Sequence, residues 1–444
     1  MASKLNLHRL INPVDQDSLG ALRRQNAQAA VHRFPNEIIS DILVYAIIVS
    51  QNEENPFQRG ALSQKIRVAC MLVCTAWRDL IVATPQAWAT LPPVNGVVSL
   101  RRICLCLERS KNADLNIALS DPGNHDGKQR NLQRALDVTI PYFDNCSTLS
   151  VTVRTRPLVS FFPLPRPMAR LRNLGLIYPG FKLPQGVSLV DKNSECALRV
   201  LVIWAPNLPG SLFDHLNTQF ITDLHLTSVT GIPRCVLEII NNSPFLQNLS
   251  LGEERPSSGD DDNESESVSM TVHTPRLVTL CISGCTLLPH LKGWAAPRLL
   301  ELRLSPGPRP FVFGPDDAFQ FPALRALTVG QIDPYDENLH ILHKILRNHP
   351  SLATLHIPCD ASLYNSVFNP LLVSSVAPDL RTLRLVARNH GYTDALIYLR
   401  RILVSRPDMH VILTNGGKVP REFWPGRAAI KLELEFPERV SIKA

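Results

Sequence analysis

Leu277-Val278-Thr279-Leu280-Cys281-Ile282 decides the fold, because its L-x-x-L-x-L spacing returns along most of the chain. It recurs as Leu299-Leu300-Glu301-Leu302-Arg303-Leu304 and as Leu324-Arg325-Ala326-Leu327-Thr328-Val329. Further copies begin at Leu171, Leu198, Ile221, Leu246, Leu352 and Leu380, and a degenerate one reads Asp408, Val411, Leu413. From Leu171 to Leu380 the first positions are 27, 23, 25, 31, 22, 25, 28 and 28 residues apart. A Pro often stands two residues ahead of the first Leu, as at Pro275, Pro297 and Pro322. Alternating apolar positions predict one short strand per repeat with its leucines on one face. No single unit can bury that face, so neighbouring units must stack. Each buried side chain contributes roughly 1.5–3 kcal/mol before the entropy of ordering it is subtracted. The expected class is α/β: a solenoid of parallel short strands over 171–436, with helical return segments. Two of those segments put their leucines on one face, Asn338 to Arg347 and Thr393 to Val404.

Ahead of the repeats the periodicity changes. Residues 1–30 are polar, with one weak helix expected over Ser18 to Ala30. Residues 31–91 read as helices. Pro35 suits a first turn, where a missing N–H costs nothing, and Glu37 suits the positive end of the helix dipole. Ile38, Ile39, Ile42, Leu43, Ala46 and Ile47 follow at helical spacing. Gln51 to Gly60 reads as a polar loop, and a second stripe runs from Leu62 through Ile66, Cys70 and Val73 to Trp77 and Leu80. Residues 92–170 are transitional: helices are expected over Leu100 to Arg109 and Leu132 to Tyr142, strands at Leu115 to Leu119 and Leu149 to Val153. The insert 252–270 holds seven acids, five Ser and no large apolar residue before Val268, the composition of a disordered loop.

The chain of 444 residues is 45% hydrophobic and 19% charged, a globular balance, with a net charge of +7. Seven of its acids lie between Glu253 and Glu266; without that stretch 45 basic face 32 acidic residues. Such a surface suits acidic partners, but the charge is too dilute to argue for nucleic acid. The ten Cys follow no framework spacing, so buried thiols in a reducing compartment are expected. The first residues carry no apolar signal segment, and the apolar run from Ile38 to Val49 is too short for a bilayer. The expected location is cytoplasmic or nuclear, without a membrane partner. No phosphate-binding glycine loop and no G-x-S-x-G elbow is present, and Cys104/Cys106, Cys281/Cys285 and His340/His343 lack metal-ligand spacing. No catalytic residue, cofactor or metal is expected.

Residues 31–91 resemble an F-box. The resemblance rests on Phe34-Pro35-Asn36-Glu37-Ile38-Ile39, the pair Ile42-Leu43, Val73-Cys74-Thr75-Ala76-Trp77-Arg78, and Thr84-Pro85-Gln86-Ala87-Trp88. The units that follow resemble irregular leucine-rich repeats, and the whole is similar to fungal-type F-box proteins with C-terminal leucine-rich repeats. The resemblance implies a non-catalytic adaptor subunit of a Skp–cullin–F-box ubiquitin ligase, in which the box docks on the Skp adaptor and the solenoid presents an unknown target protein. It implies adaptor contacts at Phe34, Pro35, Ile38, Ile39, Leu43, Val73 and Trp77. In a horseshoe the strands line the concave face. There, Arg303, His356 and Arg384 lie between the leucines as a basic stripe suited to an acidic or phosphorylated segment. The competing expectations are a repeat scaffold unconnected to ubiquitin, whose N-terminal helices merely cap the solenoid, and a solvated strand face in place of the basic stripe.

Overall fold

The computed structural model forms two compact units, Met1–Thr155 and Arg156–Ala444. It describes residues 34–49, 56–95, 97–120, 126–152, 168–178, 196–205, 210–214, 216–227, 234–252, 272–283, 294–305, 321–330, 338–359, 368, 371–373, 375–387, 399, 401–414 and 432–435. The helix expected over Ser18 to Ala30 and nearly all of the acidic insert lie outside the described residues.

In the first unit, α1 (Asn36–Val49), α2 (Pro56–Val73) and α3 (Thr75–Ala83) lead through a 3-10 turn (Pro85–Trp88) to α4 (Leu100–Ser110) and β1 (Leu115–Ser120). Then come α5 (Asp126–Thr139), a second 3-10 turn (Ile140–Asn145) and β2 (Cys146–Thr152), which pairs parallel with β1. The second apolar stripe is not one helix. Its periodicity is continuous, but the backbone breaks at Cys74, whose extended conformation lets its thiol accept the Trp77 N–H at 3.5 Å. The polar stretch before it is also shorter than expected, since α2 already begins at Pro56, a residue pre-set for a first helical position. Gly60 therefore sits inside a helix. It is there because the chain passes close by: a Cβ on it would meet the Leu91 carbonyl oxygen at 2.8 Å and Pro93 Cδ at 3.1 Å.

Residues 92–155 fold with the N-terminal helices, and side-chain geometry shows why. Arg67, on α2 and only 2% exposed, donates to the Thr90 carbonyl at 3.0 Å and to Cys106 Sγ on α4 at 3.3 Å. Its guanidinium carbon lies 4.8 Å from the centre of the Trp88 ring, and that of Arg109 lies 4.5 Å from the same ring. The Trp88 indole N–H is itself bound by the Ile81 carbonyl at 2.7 Å. A backbone bridge pairs Thr90 with Asn116, tying this cluster to β1.

The second unit is a stack of repeats. Its strands are β3 (Asn173–Ile177), β4 (Val200–Trp204), β5 (Asp223–Thr227), β6 (Asn248–Gly252), β7 (Thr279–Ser283) and β8 (Glu301–Ser305). They continue as β9 (Ala326–Val329), β10 (Thr354–Cys359), β11 (Thr382–Ala387), β12 (His410–Thr414) and β13 (Leu432–Glu435). All are parallel, each beside the next in chain order, so the chain advances by one strand per coil. Among the connections are α6 (Arg234–Asn241) and α7 (Asn338–Asn348). The register is unslipped: Leu174, Leu201, Leu224, Leu249, Leu280, Leu302, Leu327, Leu355 and Leu383 stand side by side, and all are buried. The long spacing around the acidic insert leaves this register intact from β6 to β7.

The Pro that precedes the repeat has a structural role. In Ser243-Pro244-Phe245-Leu246 the Leu246 N–H closes on the Ser243 carbonyl at 3.1 Å, and the same i→i+3 bond closes Thr274 to Leu277, Ala296 to Leu299, Phe321 to Leu324 and His349 to Leu352. Pro at the second position pre-sets that turn. Beyond it, the carbonyl of the residue after the first Leu accepts two N–H groups from the next coil. Arg199 binds Thr222 and Asp223 at 2.8 and 3.1 Å, and Arg325 binds Ala353 and Thr354 at 2.8 and 2.9 Å. Turn and double bond together hold each coil against its neighbour.

Candidate functional site

Two faces carry the side chains that sequence reasoning singled out. The first is on α1. Ile39, Leu43 and Ile47 recur at helical spacing and are buried, at 3%, 2% and 1% exposure. Phe34, Ile38, Ile42 and Tyr45 form a second stripe at offsets of four, eight and eleven from Phe34, and all four are exposed. The helix is thus apolar on two faces, and only one of them is used inside the unit.

This corrects the expected contact set. Ile39 and Leu43 are core residues and offer nothing to a partner, because they lie one helical position round from the exposed stripe. Phe34, Pro35 and Ile38 are exposed, and Val73 at the end of α2 is exposed beside the still more open Leu72. Trp77 is half-buried, and its indole nitrogen has no hydrogen-bond partner among the described residues. Ile42, Tyr45 and Leu72 were missed as surface residues. The offsets from Phe34 were available in the sequence; which of the two stripes faces inward was not.

Small polar links fix the orientation of α1. The Ser40 and Thr84 hydroxyls lie 2.8 Å apart, with Thr84 donating on to the Leu80 carbonyl at 2.7 Å, and Ser63 donates to the Ile47 carbonyl at 3.1 Å. The thiols nearby are quiet: burial pushes the Cys70 and Cys106 pKa values up, the latter against the opposing pull of Arg67.

The second face is the side of the sheet between the leucine columns. Here Val202, His225, Ser250, Cys281, Arg303, Thr328, His356 and Arg384 stand in register. His356 and Arg384 are direct neighbours, whereas Arg303 lies two strands from His356, beyond Thr328. Arg303 Nε is bound to Glu301 Oε1 at 2.7 Å, and this bond raises its pKa. The expected three-member basic stripe is therefore a close pair plus one arginine already matched by its own strand. His225 is half-buried, and burial lowers its pKa, with Asp223 opposing, so it stands neutral near pH 7. Sequence reasoning overlooked Val202 and Trp204, which leave 36% and 39% of their surface open on β4.

Among the described residues, no cluster of three His, Cys, Asp or Glu is arranged to hold a metal ion, and no helix is long and apolar enough to cross a membrane. No model of a known protein family matches the chain, and no curated protein matches it.

Proposed function

We propose that the chain is the target-recognition subunit of a Skp–cullin–F-box ubiquitin ligase. The observation that carries this reading is the exposed apolar stripe Ile38, Ile42 and Tyr45 on α1, with Phe34 exposed just ahead of the helix. Large apolar side chains aligned on one helix face are a partner surface when they are not covered by their own domain. In this reading the stripe, with Pro35, Val73 and Trp77, docks on the Skp adaptor. The second unit is a leucine-rich-repeat horseshoe whose sheet face, including His356 and Arg384, takes the target. The protein performs no chemistry. It raises the effective concentration of target lysines beside the charged conjugating enzyme.

The burial of Ile39 and Leu43 favours the rival reading, in which the helices only cap a protein-binding scaffold. Capture of a purified Skp-family adaptor separates the two. Wild type should retain the adaptor, and Ile38→Asp/Ile42→Asp should lose it with an unchanged circular dichroism spectrum and melting curve, because both side chains are exposed. A folded wild type that captures no adaptor removes the ligase reading and leaves the scaffold.

A further inference from the structure

The edge of the second unit just before each strand carries a charge pattern that neither docking face uses. The residues immediately before and after the first Leu of each repeat lie on this edge, and Arg172, Arg199, Arg276, Arg298, Arg325 and Arg381 occupy such positions, Arg276 and Arg298 inside the Pro-containing turn itself. All six are exposed, and none is ion-paired with an acidic side chain among the described residues. Among the described residues, the acid beside a first Leu is Asp379, and Asp408 takes the first position of the degenerate copy, both toward the C-terminal end.

Two further observations turn the row into a surface of definite chemistry. Five of the six fall in two groups, on the coils of β3 and β4 and on those of β7 to β9, and Arg381 stands apart on the coil of β11. Between the two groups the same edge exposes Phe220 at 46% and Phe245 at 39%. Arg276 lies over the Phe245 ring with its guanidinium carbon 4.5 Å from the centroid, so the aromatic and basic parts are continuous. The backbone beneath is fixed: the carbonyls of Arg172, Arg199, Arg325 and Arg381 all accept N–H groups of the next coil, at 2.6–3.1 Å. The arginines are thus presented at the spacing of neighbouring strands, about 4.8 Å per coil, and β3 to β9 spans about 29 Å.

We infer that this edge is a docking site for an extended acidic protein segment carrying an apolar side chain near its middle. About nine residues of extended chain cover the span at ~3.3 Å each. Acidic side chains meet the two arginine groups, and the apolar one rests on Phe220 and Phe245. Arg with exposed aromatics is the composition of a protein-binding hot spot. Bases stack on exposed rings beside arginines, and bilayers take such rings up. Here, however, the two rings are adjacent and flanked by the arginine groups, without the interleaving along the row that a base-stacking groove uses. Both alternatives enter the test as opposing outcomes. The site is separate from the sheet face and does not depend on the ligase reading.

The test is a titration of the full chain with a fluorescent Glu-rich peptide of about twelve residues bearing a central Phe. A peptide with Gln for Glu, an all-Glu peptide, a single-stranded oligonucleotide and phosphatidylserine vesicles serve as comparators. The acidic peptide should bind in a salt-dependent way and the Gln peptide should not. Arg276→Glu/Arg298→Glu should weaken binding by about tenfold or more, and Arg276→Gln/Arg298→Gln by less. Phe245→Ser should abolish the preference for the Phe-bearing over the all-Glu peptide. Arg101→Glu, an exposed change in the other unit, should alter nothing. Tighter binding of the oligonucleotide or the vesicles, or equal peptide binding by a folded Arg276→Glu/Arg298→Glu chain, overturns the inference.

Discussion

Replacing Arg67 with Lys keeps the charge and removes the geometry. The guanidinium reaches the Thr90 carbonyl and Cys106 Sγ at once, with its carbon 4.8 Å from the centre of the Trp88 ring. A lysine ammonium is a compact point charge, and in this cleft it can satisfy one of those acceptors. The loss of one charge-assisted hydrogen bond is about 1.5 kcal/mol or more, and the loss of the cation–π contact about 0.5–2 kcal/mol. Desolvation adds to both, because the ammonium is the more strongly hydrated cation and the site is 2% exposed, with no carboxylate on Arg67 among the described residues. The expected cost is about 2–4 kcal/mol. Hydrogen exchange followed by mass spectrometry over 60–110 reads it locally, free of the second unit. Amides of α4 should exchange between roughly thirtyfold and several-hundredfold faster. Arg67→Met should cost less than the Lys variant, since it removes a buried charge and keeps apolar contact with the Trp88 ring. Exchange in Arg67→Lys within about threefold of wild type would refute the argument, as it would mean that charge alone holds the cluster.

Gly60→Ala sets helix propensity, a gain of about 1 kcal/mol, against a Cβ placed 2.8 Å from the Leu91 oxygen, an overpacking cost of about 1–3 kcal/mol. The net should be a loss, read as faster exchange over 85–95; slower exchange would mean that the segment yields. Leu280→Ala, flanked in register by Leu249 and Leu302, should destabilise the second unit by about 3–5 kcal/mol, visible as a lower urea midpoint. Burial pushes the Cys146 thiol up to about 12, against about 8.5 in an unfolded chain, while its S–H donates to the Thr148 carbonyl at 3.3 Å. The raised value means that this contribution is complete below about pH 8.5 and declines as pH climbs toward 12, by up to ~1.4 kcal/mol per pH unit. Cys146→Ala should therefore lose less stability than wild type between pH 9 and 11, measured by urea unfolding at each pH.

Much of the second unit was legible in the sequence. The L-x-x-L-x-L period placed the strands, and the alternation within it assigned their inward residues, because a side-chain period of two leaves no choice once one face must be buried. Pro275, Pro297 and Pro322 marked the turns for a similarly local reason, a fixed φ at one position. α7 was legible too, within a residue of its observed end. The helices of the first unit were harder. Cys74 breaks a stripe whose periodicity runs on unbroken, and Pro56 starts a helix inside what read as a loop.

What the sequence determined by itself was the repeat, its period and the inward columns, all consequences of short-range pattern. Tertiary structure alone decided which stripe of α1 was core and which was surface, since Ile38 and Ile39 are equally apolar and differ only in what packs against them. It also decided that Arg303 is matched by Glu301 while His356 and Arg384 are neighbours, and that arginines scattered through 172–381 form one edge. The last two relations join residues about 25 apart in the chain, and only stacking in register brings such positions side by side.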